Sequence, residues 1–196
     1  VAMVILGGIS RIGRVTSILA PVMAVVYITG ALIVLAFNMP DVFPTLALIV
    51  REAFNPTAGV AGTGIGAILV TMMWGVRRGL FSNEAGQGSA PIAHAAAKTD
   101  EPVSEGVVAL LEPFIDTIVI CTMTGLVIVV TGAWQESSES LTGAALTAHA
   151  FKGALGTAGE FIVGIGLALF AYSTIIAWSY YGDRSAHYLF GERAVL

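Results

Sequence analysis

Long apolar runs, each closed by a short polar or charged patch, set the rhythm of this chain. Residues 15–37, 107–130 and 161–181 are each apolar over the width of a bilayer, and 59–76 is a fourth, glycine-rich run that ends at Arg77 and Arg78. About 20 such residues, coiled as a helix, cross the hydrocarbon of a membrane. Residues 1–9 supply half of a further span. The pattern predicts an all-α integral membrane chain, a single transmembrane domain over 1–196 with four full spans and one partial one. Between the first two full spans stands "PDVFPTLALIVREAFNPT". Its apolar part, 44–54, is too short to span. Pro44 and Pro56 bracket a short outer helix there, because proline suits a first helical turn and the residue before a proline resists helix. That helix lies on the surface or folds over the outer mouth of a transport pathway.

Charge gives the runs a direction. Arg11 and Arg14 form one basic group, Arg77, Arg78 and Lys98 a second, Arg184 and Arg193 a third. These are seven of the nine basic residues, and they alternate to one side of a four-span chain. Loops rich in arginine and lysine stay in the cytoplasm. The loops of Arg11, Arg77, Lys98 and Arg184 are therefore expected inside the cytoplasmic membrane, and "MPDVF" and "QESSESLTG" outside. Composition agrees: 56% hydrophobic, 11% charged, mean hydropathy +0.86, against about 25% charged in soluble domains. A net charge of −4 with no basic stripe argues against nucleic-acid binding. The single Cys121 sits in an apolar run and cannot form an intrachain disulfide. The opening "VAMVILGG" has no charged leader and reads as the tail of a membrane helix whose start is missing, hence a piece of a larger protein.

Candidate chemistry concentrates in "RRGLFSNEAGQGSAPIAHAAAK", residues 77–98. Thr71, Trp74, Arg78 and Ser82 fall at i, i+3, i+7 and i+11, one helical stripe, with Gly75, Gly79 and Asn83 along the next row. Polar groups at membrane depth need partners, so the stripe faces protein or a watery cavity. It is either interhelical glue or the wall of a pathway in which the Ser82 and Asn83 oxygens meet a sodium ion, since hard cations take oxygen ligands. Gly75 and Gly79 form a G-x-x-x-G pair, which permits close helix packing or bares backbone to a substrate. The "SNEAGQGSAP" segment should break the helix, with Ser89 as N-cap of a helix restarted by Pro91. Glu84 is placed to pair with Arg77 or Arg78. Glu112 and Asp116, at i and i+4, share a face near the cytoplasmic end and either pair with those arginines or serve gating. Trp178, Tyr180 and Tyr181 read as an interfacial belt.

Other chemistries lack their parts. "GVAGTGIGA" has no Gly-Lys-Ser/Thr ending and is not a phosphate loop. "GQGSA" is not a nucleophile elbow, and no Cys/His cluster makes a metal site. The three histidines read as ordinary polar loop residues. No enzyme activity and no cofactor are expected.

The string "RG-x-FSNEAG-x-GSAPIAHA", together with "GGISRIGRVTSILAPVMAVVYITGAL", "FIDTIVICTMTGLVIVVTG" and "LFAYSTIIAWSYYG", resembles the alanine or glycine:cation symporter family of bacteria and archaea over nearly the whole chain. The resemblance implies the C-terminal part of a five-plus-five inverted-repeat amino-acid symporter fold. Residues 1–9 would end its sixth helix, 15–37 form the seventh and 44–54 the outer loop helix. The "MMWGVRRG" run would form the eighth, and 107–130 and 161–181 the ninth and tenth. It implies sodium-coupled uptake of alanine or glycine by alternating access, with sodium as co-substrate. Thr71, Trp74 and Gly75 are then expected at the substrate and Ser82 and Asn83 at the ion. Arg77, Arg78, Glu84, Glu112 and Asp116 are the gating or structural polar groups. The broken first helix, which such transporters use for the substrate carboxylate and the sodium, would lie upstream. The competing reading is a non-transporting helical membrane scaffold or channel subunit.

Overall fold

A computed structural model describes residues 1–53, 65–82, 84, 87–136 and 141–192. Side chains of residues 2, 65–68, 70 and 71 are outside that description. Among the described residues the regular structure is helical throughout. In chain order the helices are α1 (Ala2–Ile5), α2 (Gly8–Phe37), α3 (Met39–Ala53), α4 (Ile65–Ser82), α5 (Ala90–His94) and α6 (Pro102–Pro113). They are followed by a π-helical segment (Phe114–Cys121), α7 (Thr122–Val130), a 3₁₀ turn (Ala133–Glu136), α8 (Ala144–Leu155) and α9 (Thr157–Phe190).

Among the described residues three stretches are long and apolar enough to cross a membrane: Gly8–Phe37, Pro102–Val130 and Thr157–Phe190. The fourth expected span is represented by the 18-residue α4, which runs through Arg77 and Arg78 to Ser82, while 59–64 lie outside the described residues. Helix limits exceed the apolar runs at both ends. "RIGR" is inside α2, and "DRSAHYLF" inside α9. At 1.5 Å per residue α9 is roughly 51 Å long, more than the hydrocarbon needs, so its Asp183, Arg184 and His187 continue the helix as a polar extension. Continuing a formed helix adds one hydrogen bond per residue fixed, and hydrophobic length does not limit it.

The short outer helix also starts earlier than residue 44. α3 begins at Met39 and carries Pro44 inside it. Pro44 has no N–H to give the carbonyl of Pro40, so the helix loses that one bond in its second turn and continues. Asn38 ends α2 instead: its Nδ2 donates to the Val34 carbonyl at 2.8 Å.

The packed centre joins α2, α7, α8 and α9. Val34, Val127, Phe151 and Val163 are fully or almost fully buried there, with Tyr27, Ala31, Ala133 and Ala150 around them. Tyr27 and Phe151 stack obliquely, ring centroids 5.6 Å apart. Thr124 donates its one hydroxyl proton to the Ile120 carbonyl at 2.8 Å. The Tyr27 hydroxyl, 2.6 Å away, is therefore the donor to Thr124. This bond staples α2 to α7.

α8 has no counterpart among the expected elements. It fits because of two glycines. Gly156 ends α8 and opens α9 with φ +62° and ψ −147°, a backbone conformation only glycine adopts easily. Three residues on, a Cβ at Gly159 would lie 2.1 Å from the Phe151 carbonyl oxygen. α8 thus folds back with its backbone against α9, and no side chain fits between.

Candidate functional site

α4 meets the rest of the chain along the π-helical segment, and the groove between them is where most of the expected residues gather. Trp74, Gly75, Arg77, Arg78, Ser82 and Glu84 line a cavity of about 1080 Å³, joined by Thr117 and Cys121 from the π segment and Thr174 and Trp178 from α9. Phe81 closes on Trp178, ring centroids 6.4 Å apart. Asn83 and the side chain of Thr71 are outside the described residues.

Pro113 accounts for the π segment. It has no N–H to give the carbonyl of Ala109 and its ring crowds that carbonyl, so the ladder is broken where the wider turn begins. Such wide turns in helices recur at functional sites. The consequence corrects the expectation that Glu112 and Asp116 share a face. Asp116 lies inside the wide turn and points to α4, where Ser82 donates its hydroxyl proton to Oδ2. Glu112, before the break, faces α5 instead, with Oε2 3.6 Å from His94 Nε2. Neither is ion-paired to Arg77 or Arg78 among the described residues.

The Ser82 contact fixes the roles of its atoms. Its single proton goes to the carboxylate, so its oxygen can only accept from the Cys121 thiol, 3.8 Å away. The remaining lone-pair density on Ser82 Oγ, beside the Asp116 carboxylate oxygens, is what a cation seeks.

Trp74 is half-exposed to the groove, and the Arg77 guanidinium stands 5.7 Å from its ring centroid. A cation over an indole face is attracted by the ring quadrupole. Cβ atoms at Gly75 and Gly79 would meet nothing within 4 Å. These glycines therefore serve no close packing among the described residues, and Gly75 leaves bare backbone on the groove wall.

Glu84 takes partners other than the arginines. Ser89 donates to its Oε2 at 2.8 Å, and Tyr181 of α9 stands near its carboxylate. Glu84 sits at φ +57°, the left-handed region that costs a non-glycine residue strain, and the Ser89 bond helps to hold it there. Ser89 stands at the N-cap position of α5, as expected, but its hydroxyl is spent on Glu84 and makes no capping bond to the helix backbone.

The histidines depart furthest from expectation. His94 is not an ordinary loop residue; its Nδ1 is 2.6 Å from Glu105 Oε1. That hydrogen bond, partly opposed by burial and aided by the Glu112 charge, raises its pKa above the usual histidine value. His149 lies on α8, 2.8 Å from Glu136. The spacing of Glu105 and Glu112, seven apart on one face of α6, was the available signal for the His94 cluster. Thr174 and Trp178, four apart on α9, gave a similar one for the groove.

A model of the sodium:alanine symporter family matches residues 1–196. The sodium/alanine symporter AgcS of Methanococcus maripaludis is 50% identical over 196 residues, 99% of this chain and 42% of that protein. The probable sodium/glutamine symporter GlnT of Bacillus subtilis is 38% identical over 186 residues, 95% of this chain and 38% of that protein. A sodium/proton-dependent alanine carrier protein of Bacillus sp. strain PS3 is 31% identical over 200 residues, 94% of this chain and 43% of that protein. The chain thus spans about two fifths of the length of the curated relatives it matches. With its three apolar helices, the similarity to transporters marks a multi-pass membrane protein.

Proposed function

Because the chain belongs to the sodium:alanine symporter family, we propose that it forms the C-terminal part of a five-plus-five inverted-repeat symporter. In this reading it is a single transmembrane domain that carries a small neutral amino acid into the cell with sodium by alternating access. The observation that carries the proposal is the Ser82–Asp116 contact inside the groove of Trp74 and Gly75. A serine that gives its proton to a carboxylate presents only lone pairs, and the carboxylate adds the negative charge a desolvated cation needs. Ser82, with Asn83 beside it in sequence, is the sodium end. Trp74, Thr71 and the bare backbone of Gly75 form the substrate wall, where an indole face and backbone polar groups suit a short side chain and an ammonium. Arg77, Arg78, Glu84, Glu112 and Asp116 hold and gate the inner end. The loops bearing Arg11, Arg77, Lys98 and Arg184 face the cytoplasm. Alanine or glycine is the reading for substrate; the names of relatives widen the neutral class to glutamine and the coupling ion to the proton.

Proteoliposomes holding the full-length protein test this. Uptake of labelled alanine should require an inward sodium gradient, and Cys121, the chain's one cysteine, should lose maleimide reactivity when sodium and alanine are both present. Sodium-independent uptake would overturn the coupling. Ohmic flux without a gradient would favour the channel reading.

A further inference from the structure

We propose that His94 is a pH-dependent latch that fastens the short helix α5 to the membrane-spanning helix α6 through Glu105 and Glu112. The inference rests on the symport reading only where transport is the readout. α5 has five residues, far too few to persist without tertiary contacts. Its one charged tether lies at its last residue, where the imidazole, 20% exposed, sits between two carboxylates two helical turns apart. Nδ1 is hydrogen-bonded to Glu105 at 2.6 Å, and Nε2 forms a 3.6 Å ion pair with Glu112. A neutral imidazole has one N–H. If that hydrogen serves Glu105, the Nε2 lone pair confronts the Glu112 carboxylate. Only the imidazolium turns a donor to each side, so the geometry selects the protonated ring.

The surroundings reinforce this. His94, Asp100, Glu105 and Glu112 line one cavity of about 630 Å³, and His94 is the sole basic side chain among its lining residues. From α9, Tyr181 faces Glu112 and Glu84. Arg184 and Tyr188 line the neighbouring cavity with Ile92 of α5, and Arg184 is engaged by Asp183 at 2.9 Å. No other described cation is placed to replace the imidazolium. Since the histidine pKa is raised in the folded protein, the latch is fully closed below the ordinary histidine range. It is lost as pH rises through the raised value. Because α5 follows the segment that leaves Ser82 and Glu84, an open latch frees the inner end of the groove from α6.

The test uses the full-length protein in three measurements. Site-resolved nuclear magnetic titration should place His94 above the ordinary range and bring it down in Glu105→Gln. Spin labels at Ala97→Cys and Val108→Cys, in a Cys121→Ser background, should report separation of α5 from α6 as pH rises through that titration, with His94→Gln separated at every pH. In sided proteoliposomes, alanine uptake should vary with pH on the Lys98 face and lose that dependence in His94→Gln, while His94→Arg, a permanent cation, should hold the closed-latch rate. A His94 titration indifferent to Glu105→Gln, or a label distance constant across it, overturns the latch. A pH-dependent distance in a protein that shows no sodium-driven uptake keeps the latch and overturns the symport reading.

Discussion

A single serine proton organises the proposed ion site. Ser82 spends it on Asp116, and that choice converts an ambiguous hydroxyl into an acceptor. Ser82→Ala should raise the sodium concentration needed for half-maximal uptake by roughly tenfold, the effect of losing about 1–2 kcal/mol of polar interaction. Trp74→Ala should instead weaken alanine binding and leave the sodium requirement near its starting value. If Ser82→Ala shifts alanine affinity alone, the two residues have been assigned the wrong way round. The grouping of these side chains was legible in sequence: the stripe of Trp74, Arg78 and Ser82 is a periodicity argument, and the groove does collect these residues. Their partners were not legible. Glu84 was expected on an arginine and instead takes the Ser89 hydroxyl, because opposite charge close in sequence says nothing about which way each side chain turns at a broken helix.

At the scale of elements, the informative departures are local breaks in register. Pro113 was visible in the sequence, yet the effect of its missing N–H depends on whether the helix kinks, ends or widens. Here it widens, over Phe114–Cys121, and so separates Glu112 from Asp116. The α8–α9 corner is the second case. Gly159 lies against the Phe151 carbonyl, so close that any Cβ would force the two helices apart. Gly159→Ala should lower the thermal stability of the detergent-solubilised protein, by about 1–3 kcal/mol if it follows other overpacked sites. An unchanged melting temperature would show that α8 does not rest on α9 in this way. No periodicity foretells α8. Its turn is bounded by glycines and its moderately apolar face is short, so only the packing of Phe151 beside Val34, Val127 and Val163 identifies it as core.

For the whole molecule the question is orientation. The basic groups predict that the loop bearing Lys98 and the segment bearing Asp41 lie on opposite sides of the membrane. In a Cys121→Ser background, a membrane-impermeant thiol reagent added outside whole cells should label Asp41→Cys and spare Lys98→Cys until the cells are opened. Labelling of both from one side would invalidate the topology, and with it the cytoplasmic placement of His94.

The sequence by itself determined the class of the molecule: apolar length sets helices that cross a bilayer, and the alternation of arginines and lysines sets their expected direction, because both depend on composition along the chain and on the membrane. It also determined the family, through a long specific string around residues 79–95. Tertiary structure decided what touches what. It put Asp116 on Ser82, Tyr27 on Thr124 and two carboxylates on His94. The physical reason is the same in each case: a hydrogen bond or ion pair depends on directions set by helix register and crossing, and a one-residue widening after Pro113 redirects a carboxylate without changing any residue that a sequence pattern reads.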